Sequence, residues 1–497
     1  MKENEQSRRE DGQSASAAAD SLSRRRRIGI LLICSMSVLI VGLDVTIVNV
    51  ALPQIGRSFH ARLSGLQWTV DAYTLVLASL LMLSGSTADR LGRRRTFVVG
   101  LVFFSAGSLL CSLAPNLTTL VIFRMVQAIG GSMLNPVAMS IITNTFTNPR
   151  ERAQAIGVWS AVVGMAMAIG PVTGGILVSA VGWQAIFWIN VPIGLLAAVL
   201  AVRYIPESKA EVTRKVDIAG QVLIISTLAS LTYAVIEAPN RGWASARITA
   251  ALLVAAVSLV IFLFHEGRVR EPLIDLRFFR SVPFTAATLT AVAAFASLAS
   301  FLFLNTIYLQ DVKGLNALNA GLDTLPMAVM TMLVPPLSGR IVGRRGSRIP
   351  LVVAGSAMAL SCLFLTRLTP STPFSLLFGA YIVFGLGFGF VNAPITNAAV
   401  SGMPRDQAGV ASALASTSRQ VGATLGVAVV GALVSRSVRG PRHLDFATAS
   451  RAGWWTLFGC AVVILVVGFA ANTAWAKDSA QRTAELLNPE FLEGHTP

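Results

Sequence analysis

Gly85-Ser86-Thr87-Ala88-Asp89-Arg90-Leu91-Gly92-Arg93-Arg94-Arg95 is the stretch on which the reading of the fold turns. Five of its eleven residues are charged, and it separates two long apolar runs, residues 66–86 and 96–114. A spanning helix needs about 20 mainly apolar residues, so each run is long enough to cross a bilayer. Charge of this density cannot lie in lipid, and the stretch reads as a cytosolic hinge between two membrane helices.

Composition agrees with that reading over the whole chain. The 497 residues are 54% hydrophobic and 13% charged, with a mean hydropathy of +0.66, whereas soluble domains average about 25% charged. A net charge of +16 suggests nucleic acid at first sight. The Lys and Arg residues, however, come in short bursts between apolar runs and form no continuous basic face, which fits positive-inside topology and excludes a nucleic-acid partner. The first 27 residues are polar and end in Arg24-Arg25-Arg26-Arg27. The apolar run after them is too long for a signal-peptide core, so no cleavage is expected and the amino terminus stays cytosolic. All four cysteines (Cys34, Cys111, Cys362, Cys460) fall inside apolar runs without metal-ligand spacing and read as packing residues.

The same length criterion marks fourteen candidate spans, at about 28–52, 66–86, 96–114, 117–138, 153–180, 183–204, 217–237, 247–265, 283–309, 319–339, 350–368, 373–400, 407–434 and 452–476. An even count puts both termini in the cytosol. On that assignment 28 of the 40 Lys and Arg residues lie on the inner side and 10 on the outer, and Arg124 and Arg419 lie within helices. The bias supports the orientation.

The loops also repeat. Gly85-x4-Arg90-x-Gly92 recurs as Gly339-x4-Arg344-x-Gly346, 254 residues on, and Pro149-Arg150-Glu151 recurs as Pro404-Arg405-Asp406, 255 residues on. Two matches at nearly one offset divide the chain into a cytosolic basic tail (1–27), an N-terminal six-helix bundle (28–204), two inserted helices (217–265), a C-terminal six-helix bundle (283–476) and a cytosolic tail (477–497). Two parallel halves with a path between them is a transporter design, in which the halves rock about a midplane site.

At this point the residues resemble the major facilitator superfamily, and within it the fourteen-helix drug:proton antiporters of the QacA/EmrB-like family. Gly85, Asp89, Arg90, Gly92 and Arg93 are similar to its loop motif A. The segment Leu43-Asp44-Val45-Thr46-Ile47-Val48-Asn49-Val50-Ala51-Leu52-Pro53 resembles its helix-one motif. Arg124, Gln127, Gly130 and Gly131 resemble motif B, and Gly164 to Gly175 resembles the antiporter motif C. Ala128 and Ala166 depart from glycines frequent in those motifs. The resemblance implies an all-helical major facilitator fold and proton-coupled export of amphipathic, cationic small molecules by alternating access. It further implies a bacterial-type inner membrane, function as a monomer, and no cofactor beyond the proton gradient.

An ionisable residue inside a membrane helix is a functional candidate because insertion costs about 2.5–3.5 kcal/mol per charge. From a rise of 1.5 Å per residue, Asp44 lies ~12 Å from the outer end of helix one, Asp71 ~8 Å into helix two and Arg124 ~10 Å into helix four. They share one layer in the outer half, where a carboxylate near a permanent cation is suited to proton or cation coupling. The resemblance makes Arg124 a proton relay. Thr46 and Asn49 read as interhelical polar contacts. Asp323, ~6 Å into helix ten, resembles an acid that some quaternary-ammonium exporters use for dicationic substrates; the alternative is an acid favoured by the helix dipole. The loop residues Gly85, Asp89, Arg90, Gly92 and Arg93 read as a gating latch, against a simple positive anchor at the lipid surface. Gly164, Gly170, Pro171, Gly174 and Gly175 read as a flexible, closely packed seam between the halves, with a kink at Pro171. Glu237 and Asp311 fall at outer helix ends and read as solvated. Arg419 has no partner that the sequence identifies.

No Gly-Lys-Ser/Thr nucleotide loop and no His/Cys metal cluster is present, so neither an enzyme nor an ATP-driven pump is indicated. A dedicated exporter of one metabolite, antibiotic or metal-chelate stays open beside multidrug efflux. So does a non-transporting membrane sensor on the same fold.

Overall fold

The structure is a computed structural model and describes residues 23–209, 217–269, 272–401, 408–437, 442–470 and 473–487. Fourteen helices are long and apolar enough to span a bilayer. They are α1 Arg24–Ser58, α2 Leu63–Leu91, α3 Arg93–Ser112, α4 Leu117–Thr145, α5 Arg150–Ala180, α6 Ala185–Tyr204 and α7 Ile218–Arg241, followed by α8 Ala246–Glu266, α9 Val282–Val312, α10 Leu325–Arg345, α11 Arg348–Leu365, α12 Phe374–Ala399, α13 Ala413–Ser437 and α14 Asp445–Ala470. Helices are the expected answer for apolar runs of this length, since in lipid every backbone N–H and C=O must find its partner within the segment. With fourteen spans among the described residues, the start of α1 and the end of α14 lie at one face, called here the terminal face; the other is the far face.

Two six-helix bundles, α1–α6 and α9–α14, flank the inserted pair α7 and α8. Each bundle is held by close helix pairs that depend on small residues. In the first, a Cβ on Gly42 would lie 2.8 Å from the Ala166 Cβ and one on Gly174 would lie 3.2 Å from Ile47 Cγ2, so α1 and α5 touch nearly backbone to backbone. In the second, α13 repeats that approach onto α9: a Cβ on Gly426 would lie 2.5 Å from Ala296 Cα. Ala166, a departure in motif C, is accommodated because the glycine of that contact stands on the partner helix, at Gly42.

The repeated loops fold alike. α2 continues through Asp89 and ends at Leu91, and Gly92 alone, at φ 113°, turns the chain into α3. α10 likewise ends at Arg345, with Gly346 at φ 76° before α11. The hinge is thus one residue long, shorter than the charged stretch suggested. Positive φ is open to glycine and strained for other residues, which accounts for this glycine in both copies. The second repeat partner, Pro404-Arg405-Asp406, lies outside the described residues, as does the carboxyl tail beyond Leu487.

The bundles meet near the far face. Gln67 Nε2 on α2 donates to the Val427 and Ala428 carbonyls of α13 at 3.2 and 3.0 Å, Thr424 Oγ1 bonds Thr74 Oγ1 at 2.9 Å, and Gln310 Nε2 donates to the Val50 carbonyl at 2.8 Å. Along α5 the contact loosens toward the terminal face. A Cβ on Gly175 would lie 2.6 Å from Leu318 Cα, whereas one on Gly164 would lie 4.0 Å from Met332, its nearest neighbour. The halves are therefore packed closely at the far face, and their fit is looser at mid-height of α5. α7 docks on α2 through Trp68–Glu237 (3.1 Å) and Asn240–Ser64 (3.0 Å), with a further bond from Gln221 to the Ser79 carbonyl. Glu237 is consequently no solvated helix-end acid: its second oxygen pairs with Arg241 at 3.2 Å and its side chain is 17% exposed.

Candidate functional site: a buried ion pair and a seam acid

Asp44 and Arg124 meet in the middle of the first bundle, each 1% exposed. Arg124 Nη1 donates to Asp44 Oδ2 at 2.5 Å and to Gln127 Oε1 at 2.7 Å, and Nε donates to the Thr69 carbonyl at 3.2 Å. Gln127, three residues on and hence on the same face of α4, donates to Asp44 Oδ1 at 2.8 Å and to Ser108 Oγ at 2.6 Å. Asn190 of α6 donates to both Asp44 Oδ1 and Ser108 Oγ at 3.2 Å. The Tyr73 ring lies 4.1 Å from the guanidinium carbon, a cation–π contact on a desolvated cation. Five helices thus supply one network. α3 comes close enough to join it because position 107 is glycine: a Cβ there would lie 2.5 Å from Gln127 Cα.

Removing an ion pair from water is costly unless its remaining donors and acceptors are met. Here both carboxylate oxygens of Asp44 accept bonds and the charge of Arg124 is opposed. Asn190, Ser108 and Tyr73 escaped the sequence reading. A single polar residue within an apolar span, as Asn190 is in Trp188-Ile189-Asn190-Val191, was the available signal.

Asp71 is not part of the pair. It is 0% exposed, and both its carboxyl oxygens are buried without a hydrogen-bond partner among the described residues. It stands one turn from Gln67 and from Thr74, the two residues of α2 that bond α13. The spacing 67, 71, 74 is one helical stripe, so Asp71 lies on the seam between the bundles and not in the interior of the first.

The motif C residues divide between two neighbours. Gly170 and Gly174 face α1, where a Cβ on Gly170 would collide with Thr46 Oγ1. Gly175 and Pro171 face the other bundle: the Pro171 carbonyl packs on Gly321, in the short helix Ala317–Asp323 that precedes α10. α5 runs unbroken through Pro171. Asp323 ends that short helix, half-buried, at the junction with α10. Thr46 and Asn49 donate back to carbonyls of their own helix, Gly42 and Leu43 for the former (both 3.1 Å) and Val45 for the latter (2.8 Å), while their side chains line the seam.

At the terminal face Asp89 pairs with Arg93 of its own loop at 2.9 Å. Glu207, just beyond α6, accepts from the Arg94 and Arg95 N–H groups at 3.1 and 3.3 Å, capping the start of α3. Arg90 is exposed, and a Cβ on Gly85 would meet open space. In this conformation the loop is tied to its own bundle. Arg419 donates to Thr396 Oγ1 at 3.0 Å and its guanidinium carbon lies 5.8 Å from the Phe295 ring.

Comparison with known proteins agrees with the architecture. Residues 34–427 match the Major Facilitator Superfamily, and the chain belongs to it. It is 35% identical to the multidrug resistance protein Stp of Mycobacterium tuberculosis over 83% of this chain and 76% of that one. Identity to the tetracenomycin C resistance and export protein of Streptomyces glaucescens is 37%, over 82% and 76%, and to the methylenomycin A resistance protein of Bacillus subtilis 31%, over 90% and 97%. Among solved structures, a bacterial homologue of the lysosomal transporter Spinster in an inward-facing, unoccupied conformation superposes with a TM-score of 0.64 at 19% identity, covering 94% of this chain and 99% of that one. A D-xylose–proton symporter gives 0.64 at 14%, covering 89% and 97%. At such identity these two speak to the fold alone.

Proposed function

We propose that the protein is a proton-coupled antiporter that exports amphipathic, cationic small molecules from a bacterial cell. Similarity to exporters and resistance proteins supports drug efflux as the class; the carrying observation is the placement of the two acids. Asp44 is locked to Arg124 inside one bundle, whereas Asp71 sits on the surface that the bundles share with no partner among the described residues.

An ionised carboxylate on a closed, dry seam has neither donor nor counter-charge and is costly. A bound proton removes that cost, so the far face closes on Asp71 in its neutral form. When the seam opens, water solvates the carboxylate and the proton is free to exchange with the outer medium. The return of the empty transporter then carries a proton inward, substrate entering from the cytosolic side displaces that proton to the cytosol, and the loaded transporter opens outward, so a proton enters for each export stroke. Asp44 and Arg124 are paired in this conformation; a proton or a cationic substrate at Asp44 would release Arg124, which makes the pair the point where the two fluxes compete. Asp323, near the seam, is the candidate contact for a second substrate charge. Gly164, Gly170, Pro171, Gly174 and Gly175 keep the seam tight against leak.

The basic bursts assign the terminal face to the cytosol, with both termini there and the protein in the inner membrane. On that assignment the looser side of the fit faces inward. The latch of Gly85, Asp89, Arg90, Gly92 and Arg93 is then open, and Asp89 exchanges Arg93 for a partner on the other bundle when the inner side closes. Bundles at 28–204 and 283–476 are the moving bodies, with α7 of the inserted pair (217–265) lying against both, on α2 through Trp68–Glu237 and Asn240–Ser64 and also on α13. The chain works as a monomer, without cofactor or catalysis. The deciding experiment is dye efflux by proteoliposomes under an imposed pH gradient, wild type against Asp71→Asn. The variant should lose uphill, gradient-dependent transport yet retain downhill flux. Unchanged proton release on substrate addition would refute the assignment.

A further inference from the structure

Near the far face the seam encloses a small cavity with room for about one water-sized group. Asn49 of α1 and Gln310 of α9 face each other across it, beside Thr46, Thr324, Pro171 and Leu302. Both amides are at least nine-tenths buried, Asn49 4% and Gln310 5% exposed. Their orientation is set by their donors: Asn49 Nδ2 gives its hydrogen bond to the Val45 carbonyl and Gln310 Nε2 to the Val50 carbonyl, each at 2.8 Å. Asn49 Oδ1 and Gln310 Oε1 are left buried with no partner among the described residues. The hydroxyls of Thr46 and Thr324 spend their protons on backbone carbonyls, Thr324 on Gly321 at 2.7 Å, and present lone pairs. Gln310 also sits in a π-turn, Tyr308–Val312, at the end of α9. Such local unwinding recurs at functional sites.

A buried amide oxygen calls for a hydrogen-bond donor. This cavity offers two, from opposite bundles, over a space the size of one water molecule or one –NH3+ group. We propose that it is a subsite for the N–H of a protonated amine, the ammonium head of an exported amphipathic amine. The inference rests on the cation-export reading above and adds a specificity: a quaternary ammonium carries the charge but no N–H, and makes no hydrogen bond to either oxygen. It also supplies a release step. Asn49 and Gln310 belong to different bundles, so parting of the far face pulls the two acceptors away from one another, and the amine leaves to that side as the seam opens.

The test is transport of a matched dye pair, a primary amine in its protonated form and its N,N,N-trimethyl quaternary counterpart, by proteoliposomes under a pH gradient. Wild type should favour the protonated amine. Asn49→Leu and Gln310→Met, which remove the acceptor at similar volume, should each cut transport of the protonated amine at sub-saturating concentration by about tenfold and change the quaternary dye less than about twofold. Gln310→Glu, which keeps an acceptor, should retain the preference. An unchanged amine-to-quaternary ratio in both apolar variants overturns the proposal, including the case where both dyes fall together because the seam is damaged. If wild type moves neither dye, the export reading itself fails. The subsite is then decided by equilibrium binding of the protonated amine to purified wild type and Asn49→Leu: equal affinity overturns it, and loss in the variant upholds it.

Discussion

Replacing Asp44 by Asn keeps the shape of the side chain and removes one charge from a site with almost no access to solvent. Arg124 would then keep its bonds to Gln127 and the Thr69 carbonyl but face no counter-charge. Breaking a buried pair from one side costs about 3–5 kcal/mol, because the surviving charge is left uncompensated. At about 1.4 kcal/mol per factor of ten, that is two to four powers of ten in any equilibrium the pair supports. Asp44→Asn should therefore lower the thermal stability of the purified protein and abolish substrate-induced proton release in everted vesicles. The double variant Asp44→Asn with Arg124→Gln separates the two effects. With both charges gone, amide-to-amide hydrogen bonds can refill the network, so stability should recover while proton release does not. A single variant as stable as wild type would show that Arg124 is compensated elsewhere. Proton release that survives in the double variant would remove the pair from the coupling path.

Three further perturbations address the other parts of the assembly. Asp89→Asn should leave surface expression intact and lower transport, since its 2.9 Å pairing with Arg93 is half in solvent and surface pairs contribute about 0–1 kcal/mol to stability; normal transport at normal expression would end the latch reading. Gly170→Leu should abolish export while the protein still folds and inserts, because the added side chain meets Thr46 Oγ1 at the packing of α5 on α1; retained efflux would count against the seam. Gly92→Ala forces a φ of 113° on a residue with a Cβ and drives that Cβ against Glu207 Oε1, 2.5 Å away, so it should destabilise by about 1–3 kcal/mol, read as a lowered melting temperature in detergent.

The spans, their number and the repeat were legible because apolar length and loop glycines are local properties of the chain. Depth was legible for the same reason: counting residues at 1.5 Å each put Asp44, Asp71 and Arg124 in one layer. Counting does not say which way a residue faces, and there the reading stopped. Asp44 and Arg124 point into one bundle, and Asp71, at similar depth, lies on its outside against α13. The stripe Gln67, Asp71, Thr74 held the information, but a polar stripe facing another helix looks like one facing a pore until the neighbour is known. Glu207 could not have been found, since it reaches the Arg94 N–H from 113 positions away. Glu237 looked solvated because it ends an apolar run; the indole of Trp68, on a helix of the other unit, buries it.

The duplication also shows which parts of the design need two copies. Both halves keep the glycine hinge, Gly92 and Gly346, and both keep the close pairing of a first and a fifth helix, α1 with α5 and α9 with α13. These are backbone properties, and rocking two bodies against one another requires them in each. The buried acid–base pair is not duplicated among the described residues. Asp44, Asp71, Arg124 and Asp89 all belong to the first bundle, and Gly343 stands in the second where Asp89 stands in the first. One proton site is enough to couple a stroke if it lies where the bodies meet, because its cost is charged to the closing of the seam whichever body carries it. A second buried pair in the other bundle would add desolvation without adding control. On the proposed coupling, the acid at the shared surface would make a symmetric hinge into a coupled one, and the second bundle would need only to supply the opposing face, Thr424 with the Val427 and Ala428 carbonyls.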